Sequence, residues 1–250
     1  MQKNISLHVV EDYEALSKAA ANIFAKAVNQ NPAGVYGFAT GGTPEGMYAE
    51  LVKMSANNEL DLKKITAFNL DEYVSLSPSS PQSYYYYMAN KLFDATGVPI
   101  KNRHIPKGDT ANPQAECEAY EKEIEAAGGI NFQILGIGTN GHIGFNEPAD
   151  TFAGQTAYVA LAQETIDANS RYFDDINDVP QFAISMGIQT IMMADIIMLL
   201  ASGESKAKIM REALLGPITP KVPASALQMH KNVIVLADKA AAKYLGGLVD

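Results

Sequence analysis

Phe132-Gln-Ile-Leu135 runs without a break into Gly136-Ile-Gly-Thr-Asn140-Gly-His142-Ile-Gly-Phe-Asn146-Glu147-Pro148. The first four residues read as a short buried strand. The rest sets an imidazole, a carboxylate and two amides among glycines. Glycine lets a backbone turn tightly and lets a ligand come close. Polar groups crowded just past a buried strand mark the carboxyl edge of an open parallel sheet, where such proteins hold their ligands.

Outward from this stretch the chain alternates strand and helix. Strands are expected at Ile5 to Val10, Val35 to Ala39, Ile65 to Leu70, Tyr158 to Leu161, Ala183 to Met186, Ile196 to Ala201 and Val233 to Ala237. Asp12 to Asn29 reads as a helix, because Leu16, Ala19, Ala20, Ile23, Phe24 and Ala27 share one face. Further helices are expected from Pro44 to about Asn57, over Ser83 to Phe93, Asn112 to Ala127, Ser205 to Leu214 and Lys239 to Leu245. Asn112 and Pro113 carry the cap and first-position signals of their helix. Ala162 to Pro180 is polar and irregular, which fits a lid or a plain surface excursion. Most strands are continuous apolar runs, as in a parallel sheet buried on both sides. The expected fold is therefore α/β, a mostly parallel Rossmann-like sheet with helices on both faces. The chain has 250 residues, 47% of them apolar, and shows no repeat or linker, so a single domain over 1–250 is expected.

Composition removes several classes. A net charge of −9 argues against a general nucleic-acid binder. It leaves room for a small anionic substrate in a locally positive pocket. Cys117 is alone, so neither a disulfide framework nor a cysteine zinc site can be built. Met1 to Ser6 lacks a signal-peptide core, and the apolar run from Ile191 to Ala201 is broken by Asp195, so no membrane span is expected. A cytoplasmic enzyme is the simplest expectation.

Four stretches could carry chemistry. Thr40-Gly41-Gly42-Thr43-Pro44 sits at a strand-to-helix turn and reads as a phosphate cradle, with free N–H groups, hydroxyls and a helix dipole together. It matches neither the P-loop nor the dinucleotide pattern. Asp71 and Glu72 end a strand, where a carboxylate can act as a general base or, equally, cap a helix and face solvent. His142, with Asn140 before it and Glu147 after, has the neighbours that orient an imidazole for proton transfer. Metal binding is disfavoured, because Glu147 is the only second ligand nearby. Arg171 and Lys206 are the basic candidates for a phosphate. The run Tyr84 to Tyr87 covers every face of a helix, so a core tyrosine and an exposed one are expected and no ligand role is assigned.

With these blocks in view, the sequence resembles the glucosamine-6-phosphate deaminases, also called isomerases, over essentially its whole length. The matching blocks are Thr40 to Pro44, Asn69-Leu-Asp-Glu-Tyr73, Gln82-Ser-Tyr84, Gly136 to Pro148, Asn169-Ser-Arg171 and Pro223-Ala-Ser-Ala-Leu-Gln228. The sister phosphogluconolactonases typically carry Gly-His-Thr-Ala-Ser-Leu-Phe-Pro in place of the His142 block. The resemblance implies conversion of glucosamine 6-phosphate and water to fructose 6-phosphate and ammonium, in amino-sugar catabolism, without metal or organic cofactor. It gives Asp71 the C2 proton and His142 the ring opening. It makes Asn140 and Glu147 partners of that histidine, and Thr40, Gly41, Gly42, Thr43, Arg171 and Lys206 the phosphate site. The substrate partner is thus a small phosphosugar, with no nucleic acid and no membrane.

Two departures carry expectations of their own. Many members have Asp where this chain has Asn140, an amide that can hold the histidine by hydrogen bond but lends it no charge. Allosteric hexameric members bind their effector through bases after the Asn-Glu-Pro block, and Thr156 to Leu161 has none. No effector, and a monomer or small homo-oligomer, are expected. The alternatives are galactosamine 6-phosphate as substrate, 6-phosphogluconolactonase activity, and a sugar-phosphate sensor. No motif decides between the C4 epimers.

Overall fold

The computed structural model describes residues 4–170, 173, 175 and 179–246. Among these the strands are β1 (Ile5–Val10), β2 (Val35–Phe38), β3 (Thr66–Asn69), β4 (Asp71–Tyr73), β5 (Arg103–His104), β6 (Phe132–Leu135), β7 (Ala157–Ala160), β8 (Phe182–Ser185), β9 (Ile196–Ala201) and β10 (Val233–Asp238). Seven of them form one sheet in the order β1-β10-β9-β6-β2-β3-β5, every neighbouring pair parallel. From β2 the chain builds outward through β3 to β5. It then returns to the other side of β2 with β6 and continues to β9 and β10. The direction of growth reverses between β2 and β6, and a crevice opens at such a switch point beyond the carboxyl ends of the strands.

The helices are α1 (Tyr13–Gln30), α2 (Gly42–Ala56), α3 (Tyr84–Met88), α4 (Asp94–Thr96), α5 (Pro113–Ala126), α6 (Gln163–Asn169), α7 (Ile188–Met192) and α8 (Ala207–Leu215). Asp12 caps α1 by accepting the Ala15 N–H at 2.9 Å. Phe24 of α1 meets Tyr36, Phe38 and Phe132 edge-on or tilted, at ring separations of 5.2 to 5.8 Å. Tyr120 of α5 meets Phe68 on the opposite face, since Phe68 pairs with Gly37, between Tyr36 and Phe38. Side chains alternate along a strand, so α1 and α5 cover opposite faces. Phe24 is fully buried, and its loss to alanine would cost about 3–5 kcal/mol.

The parallel core follows the apolar runs, with β6 and β9 at the expected residues. Four differences are informative. Asp71–Tyr73 is a strand of its own, antiparallel to β8, which also pairs with β7. His104 lies in β5 instead of a loop, its ring stacked on Phe68 at 4.4 Å. The helix expected from Ser83 is α3, a five-residue π-helical turn and α4 in succession; Tyr86 is exposed, and Met88 takes the core position expected of a tyrosine. Lys239–Leu245 is a run of turns instead of a helix. Asp238 captures the Ala241 N–H at 2.7 Å, and the Leu245 N–H bonds the carbonyl of Ala242, which tightens the chain before a ladder can form. Part of Ala162–Pro180 is the helix α6; much of the remainder lies outside the described residues.

Candidate active site

The turns after β2, β3, β6 and β9 lie side by side along the carboxyl edge, and each supplies one component. After β6, the His142 carbonyl accepts the Gly138 N–H at 2.9 Å, folding the chain back on itself. A methyl on Gly138 would stand 2.2 Å from the His142 ring, so only glycine admits the imidazole there. Asn146 latches the end of the turn by donating to the carbonyls of Ile143 at 2.8 Å and Met186 at 2.9 Å.

Glu147 reaches back over this turn. Its Oε2 accepts from Asn140 Nδ2 at 2.7 Å and its Oε1 from Thr165 Oγ1 at 2.9 Å. His142 Nδ1 stands 3.4 Å from the same Oε1 without an aligned hydrogen bond. Such contacts are often loose before a ligand binds. Burial alone would raise the Glu147 carboxyl, but His142, Asn140 and Thr165 outweigh it and hold it below its ordinary value. The Asn140 side chain holds the histidine by its backbone and Glu147 by its carboxylate. Its amide serves the carboxylate, and its oxygen accepts the His142 backbone N–H at 3.2 Å.

Asp71 and Glu72, adjacent in sequence, have different surroundings. Glu72 is the capping residue: it accepts the backbone N–H groups of Tyr73, Tyr84 and Tyr85, each at 2.9 Å, and so binds the open start of α3. Burial raises it to about 7 against the pull of these donors. Asp71 is not solvated. It is 6% exposed, and burial, then the neighbouring Glu72, push it to about 8. A methyl on Gly144 would come 3.5 Å from Asp71 Oδ2, so the His142 turn passes directly over this carboxyl. Ser185 of β8, paired in register with Asp71, bonds the Phe145 N–H at 3.0 Å and ties the two turns together.

After β2, Gly41 has φ +96° and forms the open start of α2, where a side chain on Gly41 or Gly42 would meet nothing within 4 Å. Backbone N–H groups at such an end suit an anion. The Tyr84 hydroxyl bonds Thr40 and donates to the Tyr73 hydroxyl at 3.1 Å, linking the cradle to the Asp71 strand. The Tyr84 ring lies parallel to Phe145 at 6.2 Å. After β9, Lys206 is half-buried, burial lowers its pKa, and it forms no ion pair among the described residues. Its turn is shaped by Asp238, which accepts from Ser202 Oγ at 2.5 Å and the Gly203 N–H at 2.9 Å. Arg171 lies outside the described residues.

Thr165, Ser185, Tyr84 and Asp238 were not assigned roles from sequence. Tyr84 alone had a local signal, its place in Gln82-Ser-Tyr84; the others act across long chain separations. Among the described residues no cluster of three His, Cys, Asp or Glu could hold a metal ion. No described helix is long and apolar enough to cross a membrane. A cavity of about 790 Å³ beside Cys117, Glu121, Thr156 and Thr190 abuts Ile130, at the start of β6, on the far side of the sheet from this chemistry.

A switch-point crevice with one dry carboxyl, a histidine–carboxylate contact and a half-buried lysine defines an α/β enzyme of the sugar-phosphate type. Residues 11–236 match the family model of glucosamine-6-phosphate isomerases and 6-phosphogluconolactonases. The chain belongs to that family. It is 50% identical over 239 residues to a glucosamine-6-phosphate deaminase of Alkaliphilus oremlandii, and 48% identical over 239 residues to one of Clostridium perfringens; each match covers 96% of this chain and 99% of the relative. It superposes on the structure of a monomeric glucosamine-6-phosphate deaminase with a TM-score of 0.91 at 43% identity, covering 96% of this chain and 99% of that one. A 6-phosphogluconolactonase of Thermotoga maritima shares the fold, at a TM-score of 0.73 and 18% identity, covering 94% of this chain and all of that one.

Proposed function

We propose that the chain is a glucosamine-6-phosphate deaminase, turning glucosamine 6-phosphate and water into fructose 6-phosphate and ammonium in amino-sugar catabolism. One observation carries the reading: Asp71, a buried carboxyl with no hydrogen-bond donor among the described residues, lies directly under the turn that bears His142. A lactone hydrolase has no use for a carbon base, whereas an aldose–ketose isomerase must have one. The Phe145-Asn-Glu147 sequence and the full-length relatives named as deaminases support the same choice.

In this scheme the phosphate sits at Thr40, Gly41, Gly42 and Thr43, with Lys206 and Arg171 supplying positive charge. His142 takes the proton from the anomeric hydroxyl and returns it to the ring oxygen, which opens the sugar. Glu147, itself held by Asn140, steadies the imidazolium formed on the way. Asp71 removes the C2 proton and delivers it to C1. A dry pocket keeps this carboxylate basic enough for the step. Water then hydrolyses the C2 imine and ammonium leaves. Imidazole and carboxylates handle each proton transfer, so neither metal nor organic cofactor is required.

The same reading makes residues 1–250 a single domain, cytoplasmic, and a monomer or small homo-oligomer. It has no allosteric effector, because Thr156 to Leu161 carry no base. A sigmoidal substrate curve made hyperbolic by N-acetylglucosamine 6-phosphate would refute that last point. The decisive experiment measures ammonium release from glucosamine 6-phosphate, beside galactosamine 6-phosphate and 6-phosphogluconolactone, with Asp71→Asn as control. Release from the first substrate, lost in the control, is the expected result. Release chiefly from the second would change the substrate and keep the mechanism. Lactone hydrolysis without ammonium would overturn the reading.

A further inference from the structure

We propose that Thr165 is a positioning residue for Glu147, through which the seating of α6 sets how that carboxylate addresses His142; the catalytic part of this inference rests on the function proposed above. Thr165 Oγ1 donates at 2.9 Å to Glu147 Oε1, the oxygen that also faces His142 Nδ1 at 3.4 Å. Asn140 occupies the other oxygen at 2.7 Å. With both oxygens engaged from opposite sides, the carboxylate cannot rotate without breaking a bond. A threonine in a helix has an easier partner in the carbonyl one turn earlier. Here it reaches instead across eighteen residues to the site turn.

The neighbouring residue fixes where α6 sits. Ile166 packs against a small apolar cluster of Tyr73, Phe145, Leu161 and Ala183. Tyr73 belongs to the strand of Asp71, and Phe145 to the turn of His142. Leu161, just before α6, is tied by its N–H to Gln181 at 2.8 Å. Adjacent residues of one short helix thus read the core beneath both catalytic turns and the carboxylate between them. The hydroxyl shares the charge on Oε1 and so limits how much of it reaches the imidazole. The titratable group acting on the Glu147 carboxyl is His142 on its own turn, and Asp71 of β4 lies beneath Gly144 in that turn. On α6, Asp167 is exposed and engaged with Gln163 at 2.7 Å. Among the described side chains of α6, Thr165 is the contact that acts on the carboxylate.

Thr165→Val keeps the shape and removes the donor; Thr165→Ser keeps the donor. Glu147 would be followed by carbon NMR of its carboxyl in the substrate-free protein, and ammonium release would give kcat and KM. In Thr165→Val the carboxylate loses a stabilising donor, so Glu147 titrates at higher pH than in the wild type. In the same variant kcat falls about ten-fold, the size expected for one hydrogen bond to a charged group, with KM nearly unchanged. Thr165→Ser restores both. Identical Glu147 titration in wild type and Thr165→Val, or a Thr165→Ser variant as impaired as Thr165→Val, would overturn the inference. Failure of the wild type to release ammonium would sink the functional reading instead, and the titration would still decide whether Thr165 governs Glu147.

Discussion

Asp71 is buried with no hydrogen-bond donor at its carboxyl among the described residues, whereas Glu147, more open, is wrapped by Asn140, Thr165 and the His142 ring. The first carboxyl is raised to about 8, the second held below its ordinary value. Two groups of the same chemistry, on turns of one sheet edge, are shifted in opposite directions by what surrounds them, as the two roles proposed for them require. A carbon base must be strong, so it is kept dry. A partner to a transient cation must stay charged, so it is supplied with donors. Glu72 sharpens the lesson: adjacent in sequence to Asp71, it has three backbone N–H groups and serves as a helix cap.

Asp71→Asn breaks the contrast hardest. Turnover should fall by about 10³-fold or more, since an amide cannot take the C2 proton. Stability should move the other way. The folded pKa of Asp71 lies above its unfolded value, so this group favours folding least once pH rises through about 8. At pH 9 the asparagine variant should melt a few °C above the wild type, and the gain should fade at pH 5. A scanning-calorimetry series in which the gap between the two proteins does not widen from pH 5 to pH 9 would contradict the burial argument.

Glu147→Gln should lower kcat by about 10²-fold with little change in KM. Its stability effect should have the opposite sign. A depressed carboxyl contributes stability above its unfolded pKa and loses it as pH falls through the folded one. The glutamine variant should therefore melt below the wild type at pH 7 and converge with it in acid. Lys206→Ala should raise KM about ten-fold while leaving kcat within a few-fold, because it removes a phosphate charge and no proton carrier. Tyr84→Phe is the mildest test. Losing the hydroxyl that joins Thr40 to Tyr73 should cost about three-fold in kcat/KM.

Much of this arrangement was legible beforehand, for physical reasons. β6 and β9 are continuous apolar runs, and a run buried on both sides cannot be mistaken once turn residues bound it. The cradle, Asp71 and the His142 turn all lie at strand ends, so local pattern and site coincide. β4 was invisible because Asp71-Glu72-Tyr73 is short and polar, and becomes a strand only through β8. Thr165 was invisible for the same reason: no periodicity records a hydroxyl donated to a carboxylate eighteen residues away. Lys239 to Leu245 misled because alanine-rich sequence favours a helix, and the Asp238 side chain diverts the Ala241 N–H.

The seam at Leu70 has a consequence in time. Its N–H bonds Phe38 in the parallel sheet and its carbonyl accepts Met186 beside β8, so the chain changes sheets one residue before Asp71. At this seam the parallel pairing of β2 with β3 joins segments close in sequence, whereas β4 and β8 meet across a long intervening stretch of chain. Distant pairings form late, after nearer ones have reduced the entropy of closing the loop. A refolding chain should regain helical signal first and turnover last, held up by the three-residue strand that carries the base proposed here.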